Sequence, residues 1–287
     1  MSHDLAYQII TDRIIALLEK GTIPWHQPWN ADTGMPKNLI TKKEYRGINV
    51  FMLGSSGYES PWWLSFPKQV NDKGGTLRKG EKCSYVIFWK HIPVTERDEA
   101  TGEDRTKRVP MLRYYKVVNA AQCTGLTLPA ITPDRTHTPI ESCESLIASM
   151  PHRPEIRHDD TRAYYRPSTD SVHMPRPERF FNTERYYSTL FHELTHSTGH
   201  TDRLNRPTLR DMLRFGDTNY SKEELVAEMG AAFLCGVTGI ENRTVDSSAA
   251  YIKGWLHALR NDKKLLVHAG AQAQKAADFI RGITFED

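Results

Sequence analysis

The residues of this 287-residue chain with the clearest chemistry are two histidines and a glutamate in the run His192-Glu193-Leu194-Thr195-His196. On a helix, His192 and His196 lie one turn apart and project from one side, so both imidazoles can reach a single ion. Glu193 then sits beside the coordination position left to water, where a carboxylate can take a proton. The chemistry implied is metal-assisted hydrolysis. Zinc is the leading ion because imidazole donors suit it, and another divalent ion such as Mn2+ is the alternative.

The motif works only on a helix. Tyr187, Leu190, Phe191 and Leu194 recur at i, i+3, i+4 and i+7, a stripe that buries one side and leaves the histidines on another. A helix is expected over about residues 183 to 198, capped by Asn182 or Thr183 and closed by Gly199 as a left-handed C-terminal residue.

A catalytic zinc usually takes a third protein ligand, and two carboxylates compete for that place. In residues 221 to 234, Ser221 and Glu224 read as a capping box that starts a second helix near 222, which occupies Glu224 at the helix end. Glu228 lies one turn deeper among apolar and small neighbours, where an unpaired carboxylate is costly, and Gly230, Ala231 and Ala232 let this helix come close to the first. Asp202 instead completes the pattern His-Glu-x-x-His-x-x-Gly-x-x-Asp, although no methionine turn accompanies it. His173, His200, Tyr220 and His257 read as structural or solvated groups.

No apolar run approaches the roughly 20 residues of a membrane span, and the first residues lack a basic, hydrophobic signal sequence, so a cytoplasmic protein with no membrane partner is expected. Cys83, Cys123, Cys143 and Cys235 have no paired spacing, which argues against a zinc knuckle or a disulfide framework. Net charge is +3, and the basic excess belongs to the first half of the chain. A proline- and threonine-rich stretch around 130 to 140 separates two expected domains, 1–130 and 140–287.

In the first domain a helix is expected from Asp4 to Lys20, closed by Gly21, with short helices around Tyr45 to Leu53 and Trp62 to Val70. Tyr85 to Trp89 and Leu112 to Val118 read as strands, with an exposed loop over 94 to 109. Aromatic and basic residues alternate through this half: Trp25, Trp29, Tyr45, Arg46, Lys68, Arg78, Lys79, Lys82, Trp89 and Lys90. Cations that track phosphates beside rings that stack on bases are the composition of a single-strand binder, and these ten residues are the candidate DNA contacts.

Several segments together resemble the ArdC-type antirestriction proteins of conjugative plasmids. They are Pro24-Trp25 and Pro28-Trp29, Tyr45 to Asn49, Arg78 to Lys82, Tyr186 to His200, and Glu223 to Glu228. The resemblance covers nearly the whole chain. It implies an α+β protein of two domains, an N-terminal α+β domain that binds single-stranded DNA and a C-terminal, mainly helical, zincin-like metallopeptidase domain. It also implies a third metal ligand on the second helix at Glu228, and protection of incoming plasmid DNA from host restriction during conjugation. The expected partners are single-stranded DNA, with duplex DNA a further candidate, and an unidentified protein substrate or restriction enzyme. A rival reading is a shield for DNA, or an occluder of the restriction enzyme, whose metal site is structural or vestigial. A metal-dependent nuclease fits less well, since such sites gather carboxylates around magnesium or manganese.

Overall fold

The computed structural model describes residues 3–26, 34–97, 104–130, 138–210, 218–240, 242 and 249–284. Helix α1 (His3–Leu18) buries Ile10, Ile14 and Leu18, the apolar positions of its helical period. After Gly21, at φ +77°, the chain runs to β1 (Lys37–Asn38), α2 (Ile48–Gly54), β2 (Trp62–Ser65), α3 (Lys68–Asp72) and β3 (Thr76–Leu77). Strands β4 (Ser84–Arg97) and β5 (Asp104–Asn119) pair antiparallel along their whole length, and β6 (Cys123–Thr124) pairs with β3. The main sheet has the order β1-β2-β5-β4.

Two expectations change here. Residues 62 to 70 form a strand followed by a short helix, because Trp63 and Leu64 are buried against β5 and the ladder registers Leu64 with Val118. Most of 94 to 109 is strand, since the β4–β5 ladder continues to the pair Arg97 and Asp104. Over residues 90–97 and 104–111 this ribbon leaves the core, and its described side chains are half-buried or exposed.

The second half begins with α4 (Pro139–Ser149), where Thr138 and Glu141 form a capping box. Strands β7 (Glu155–Arg157), β8 (Tyr164–Arg166) and β9 (Ser171–His173) make a small sheet of order β7-β9-β8. Among the described residues, helices α5 (Thr183–Ser197), α6 (Pro207–Arg210), α7 (Thr218–Thr238), α8 (Ala249–Asn261) and α9 (Leu265–Ile280) follow. Among the described residues no helix is long and apolar enough to cross a membrane. All four cysteines are free thiols.

The two halves share one interior. A single buried cluster runs from Ile10, Ile14 and Trp25 through Phe51 to Phe191, Leu194, Phe233 and Trp255. The rings of Phe51 and Phe233 lie 4.9 Å apart, and the Thr11 hydroxyl donates to the Lys263 carbonyl at 2.9 Å.

Helices α5 and α7 pack closely where Gly230 faces Thr195. A Cβ at Gly230 would lie 2.4 Å from Thr195 Cγ2, and Thr195 is fully buried with its hydroxyl donating to the Phe191 carbonyl at 2.7 Å. There is no slack to absorb a methyl group. Gly230→Ala is therefore expected to destabilise the fold by about 1–3 kcal/mol, the usual result of overpacking. Adding Thr195→Ala should return much of that loss; equal urea unfolding midpoints for Gly230→Ala and the parent would contradict it.

Candidate metal centre

Asn182 caps α5, its side chain accepting from the Arg185 amide at 2.8 Å, and Tyr187, Leu190, Phe191 and Leu194 are all buried, as their spacing requires. This holds the opposite side of the helix toward α7. His192 Nε2 and His196 Nε2 face each other at 3.1 Å. The third member is Glu224: its Oε2 lies 3.5 Å from His192 Nε2 and its Oε1 lies 3.5 Å from His196 Nε2. Among the described residues this is the group of ligand types close enough to share one ion, with its donor atoms within 4.8 Å of one another.

These distances match the donor set of a tetrahedral zinc-like ion, whose ligands at about 2.0–2.2 Å stand roughly 3.3–3.6 Å apart. The charges match as well. Burial alone would lower the pKa of His196, but the Glu223 and Glu224 carboxylates outweigh it and push it up to about 10. Burial raises the Glu224 carboxyl, and the two imidazoles more than reverse this, holding it well below the usual carboxylate range. Such a site attracts positive charge, and a divalent cation would displace the imidazole proton.

Glu228 lies elsewhere. It is one turn further along α7, and its Oε2 accepts from Trp25 Nε1 at 2.8 Å and from the Tyr251 hydroxyl. Burial pushes its carboxyl up to about 7. Asp202 is exposed and stands 3.7 Å from His200 Nδ1, so it points at its neighbour rather than at the imidazole pair. Glu224 was hidden in the sequence by its apparent capping role. Helix α7 begins at Thr218, a turn earlier than the Ser221-x-x-Glu224 pattern suggests, which places Glu224 inside the helix with its side chain available. Glu193 is buried next to the pair, and its charge acts on His196.

A buried ion pair supports the centre. Arg206 and Glu223 are both almost fully enclosed: Arg206 Nε and Nη2 donate to the two Glu223 oxygens, and Nη2 also donates to the Thr195 carbonyl at 2.8 Å. The Thr208 hydroxyl donates to Glu223 at 2.6 Å. Glu223 Oε1 in turn lies 3.5 Å from His196 Nδ1, a buried nitrogen without a closer hydrogen-bond partner. A carboxylate behind a ligating imidazole orients the ring and raises its basicity. Gly199 serves this arrangement through space rather than through a left-handed backbone: a Cβ there would meet Leu209 at 2.9 Å and Arg206 Nη2 at 3.0 Å.

His173 is buried between Asp159, at 2.7 Å from Nδ1, and the Ser171 hydroxyl, at 3.0 Å from Nε2, which is a structural relay inside the small sheet. His257 bonds Asn261 at 3.1 Å on α8. The side chain of Tyr220 lies outside the described ones.

The ten candidate DNA contacts divide. Trp25 has no exposed surface and Tyr45 is buried against Phe88, so neither ring can stack on a base; their aromatic area is spent inside the shared core. Trp29 lies outside the described residues. Arg46 pairs with Asp278. Lys68 pairs with Asp72 at 2.9 Å, and Arg78 donates to Glu81 at 3.2 Å and to the Ala121 carbonyl. Lys79, Lys82, Trp89 and Lys90 are exposed. The sequence did not single out Phe88, Arg113 and Tyr115. In the ladder Phe88 faces Arg113 and Val86 faces Tyr115, so all lie on one face of the ribbon. Phe88 and Tyr115 are 47% and 40% exposed, with ring centroids 5.8 Å apart.

A model of the N-terminal domain of anti-restriction factor ArdC matches residues 4–118, and a model of a zincin-like metallopeptidase matches residues 141–272. The crystal structure of the metal-free antirestriction ArdC protein from plasmid R388 is 38% identical, covers 97% of this chain and 99% of its own, and superposes with a TM-score of 0.75. The chain belongs to the ArdC-type antirestriction family. A second crystal structure of the R388 ArdC protein, with Mn(II) bound, superposes at 0.74 with the same identity and covers 96% of this chain and 97% of its own. Protein y4eC of Sinorhizobium fredii is 35% identical over 96% of this chain and 91% of its own length. A DNA primase TraC of Escherichia coli is 36% identical over 96% of this chain, which spans only 27% of that protein.

The Arg206–Glu223 pair carries a pH signature. Burial raises the Glu223 carboxyl, but His196 and Arg206 outweigh it and bring it down to about 2. Its folded value is below the unfolded 4.5, so the stability it contributes is complete above that range and is lost as pH falls toward 2. Glu223→Gln leaves Arg206 buried without its counter-charge and should destabilise by about 3–5 kcal/mol at pH 7. In urea unfolding from pH 7 to pH 3 the gap to the parent should narrow with acid; a constant gap would show that the pair is not the source.

Proposed function

We propose that this chain binds single-stranded DNA through its β4–β5 ribbon and hydrolyses peptide bonds at the His192, His196 and Glu224 centre, and that together these activities protect entering DNA from restriction. The observation that carries the catalytic half is the convergence of two imidazoles and one carboxylate at tetrahedral spacing beside Glu193. Mn(II) in the R388 relative supports a divalent ion, and the donor set suits zinc as well. When bound, that ion supplies a Lewis acid that polarises a carbonyl and acidifies water.

The protein's own groups do the rest. His192 and His196 would hold the ion through their Nε2 atoms, and Glu224 offers both oxygens between them. Glu223, clamped by Arg206, stands behind His196 and fixes the ring. Glu193 is the general base, taking a proton from the attacking water and passing it to the leaving amine.

DNA recognition rests on the exposed row of Phe88, Arg113, Tyr115 and Lys90, which combines stacking rings with cations on one strand face. The antirestriction name of the R388 relative and the primase name of TraC both support a DNA partner. A strand held on the ribbon raises the local concentration of any DNA-bound protein at the metal centre.

Metal content of the purified protein should be one ion per chain in the parent, Glu228→Ala and Asp202→Ala, and should fall sharply in Glu224→Ala. Retention of the ion in Glu224→Ala would reassign the third ligand. Glu193→Gln should keep metal and DNA and lose cleavage; protection from restriction that survives in it would place protection in DNA shielding. The joint Phe88→Ala and Tyr115→Ala variant should lose about 1–3 kcal/mol of affinity for single strands per ring. Fluorescence anisotropy with a labelled oligonucleotide measures this, and unchanged affinity would exclude the ribbon.

A further inference from the structure

We infer that Trp25 is a positioning residue for the metal centre: with Tyr251 it holds Glu228 off the ion, so the ArdC-like N-terminal segment sets how many protein ligands the zincin-like segment supplies. This rests on the reading of His192, His196 and Glu224 as the ligands.

Helix α7 presents two carboxylates one turn apart, Glu224 and Glu228, and side chains at that spacing stand about 5–6 Å from each other on one face. They have the same chemistry and different partners. Glu224 faces both imidazoles, while Glu228 accepts from Trp25 Nε1 at 2.8 Å and from the Tyr251 hydroxyl, both on the same oxygen. Glu228 is nevertheless within electrostatic reach of the centre, for the charges of His192 and Glu224 both act on it. A buried carboxylate this close to a divalent cation gains its counter-charge by coordinating it, unless other donors keep it in place. Two donors on one oxygen meet that need.

The latch is rigid. The Trp25 ring has no exposed surface and packs edge-on against Trp255 at 5.9 Å; its backbone carbonyl accepts from Asn242 at 3.3 Å, and its Nε1 also lies 3.1 Å from the Tyr251 hydroxyl. Trp25 lies within residues 4–118, the segment matched by the ArdC N-terminal model, whereas Glu228 and Tyr251 lie within 141–272. The consequence is chemical. A catalytic site keeps a position open to water, and a fourth protein ligand converts it into a closed, structural one. Trp25 therefore keeps the centre open.

The test is water-proton relaxivity of the full chain loaded with Mn(II), which reports exchanging waters on the ion and needs no substrate. Trp25→Phe combined with Tyr251→Phe should lose the contribution of one water relative to the parent, and Tyr251→Phe alone, which removes only a hydroxyl, should move in the same direction. Adding Glu228→Ala to the double variant should restore the parent value, since the competing carboxylate is gone. Parent-like relaxivity in the double variant overturns the inference, as does a loss that Glu228→Ala does not restore. Failure of the parent chain to bind Mn(II) is a separate result: it removes the metal reading, and the inference with it.

Discussion

The centre depends on how closely α5 and α7 approach. His192 and His196 belong to one helix and Glu224 to the other, and their donor atoms meet only because Gly230 leaves room for Thr195 at the crossing. A helix contact without side-chain bulk lets polar groups on the flanking turns reach across. The Arg206–Glu223 pair then locks the two helices from behind, since Arg206 donates to a carboxylate of α7 and to backbone carbonyls of α5 in the same buried space. Removing one member of such a pair is far more harmful than never having had it, because the survivor keeps an uncompensated charge out of water.

That helix pair is embedded in an interior to which the first part of the chain contributes directly. Trp25 and Phe51 sit in the same cluster as Phe233 and Trp255, and a Cβ on Gly270 of α9 would come 2.9 Å from the amide nitrogen of Ile48 at the start of α2. The ArdC-like and zincin-like segments are thus recognisable as separate family units and are physically continuous. A change in one segment can therefore reach the other through contacts already made.

The aromatic residues show how this continuity redistributes roles. Trp25, Trp63 and Tyr45 are the kind of side chain that stacks on bases, yet each lies in the interior, where a large ring removes the most apolar area from water. On the β4–β5 ribbon, Phe88, Trp89 and Tyr115 keep 40–47% of their surface exposed, although Val86, Ile87 and Leu112 beside them are buried.

How much of this could be read beforehand follows from how local each feature is. The helix of the His-Glu-x-x-His run, its Asn182 cap and its buried stripe were legible because period and capping act within a few residues. The small residues of α7 correctly announced a close helix contact. The choice of carboxylate was different. Glu224 and Glu228 share one helix face, and the sequence favoured Glu228 because Ser221 offered Glu224 a local partner. Only the tertiary structure shows the helix starting at Thr218, the imidazoles opposite Glu224, and the indole of Trp25, 203 positions away, holding Glu228. The chain by itself determined which groups could bind a metal, because that depends on residue type and helical spacing. Which of them do converge was decided by packing, because the distance between two helices and the burial of a remote tryptophan are properties of the whole fold.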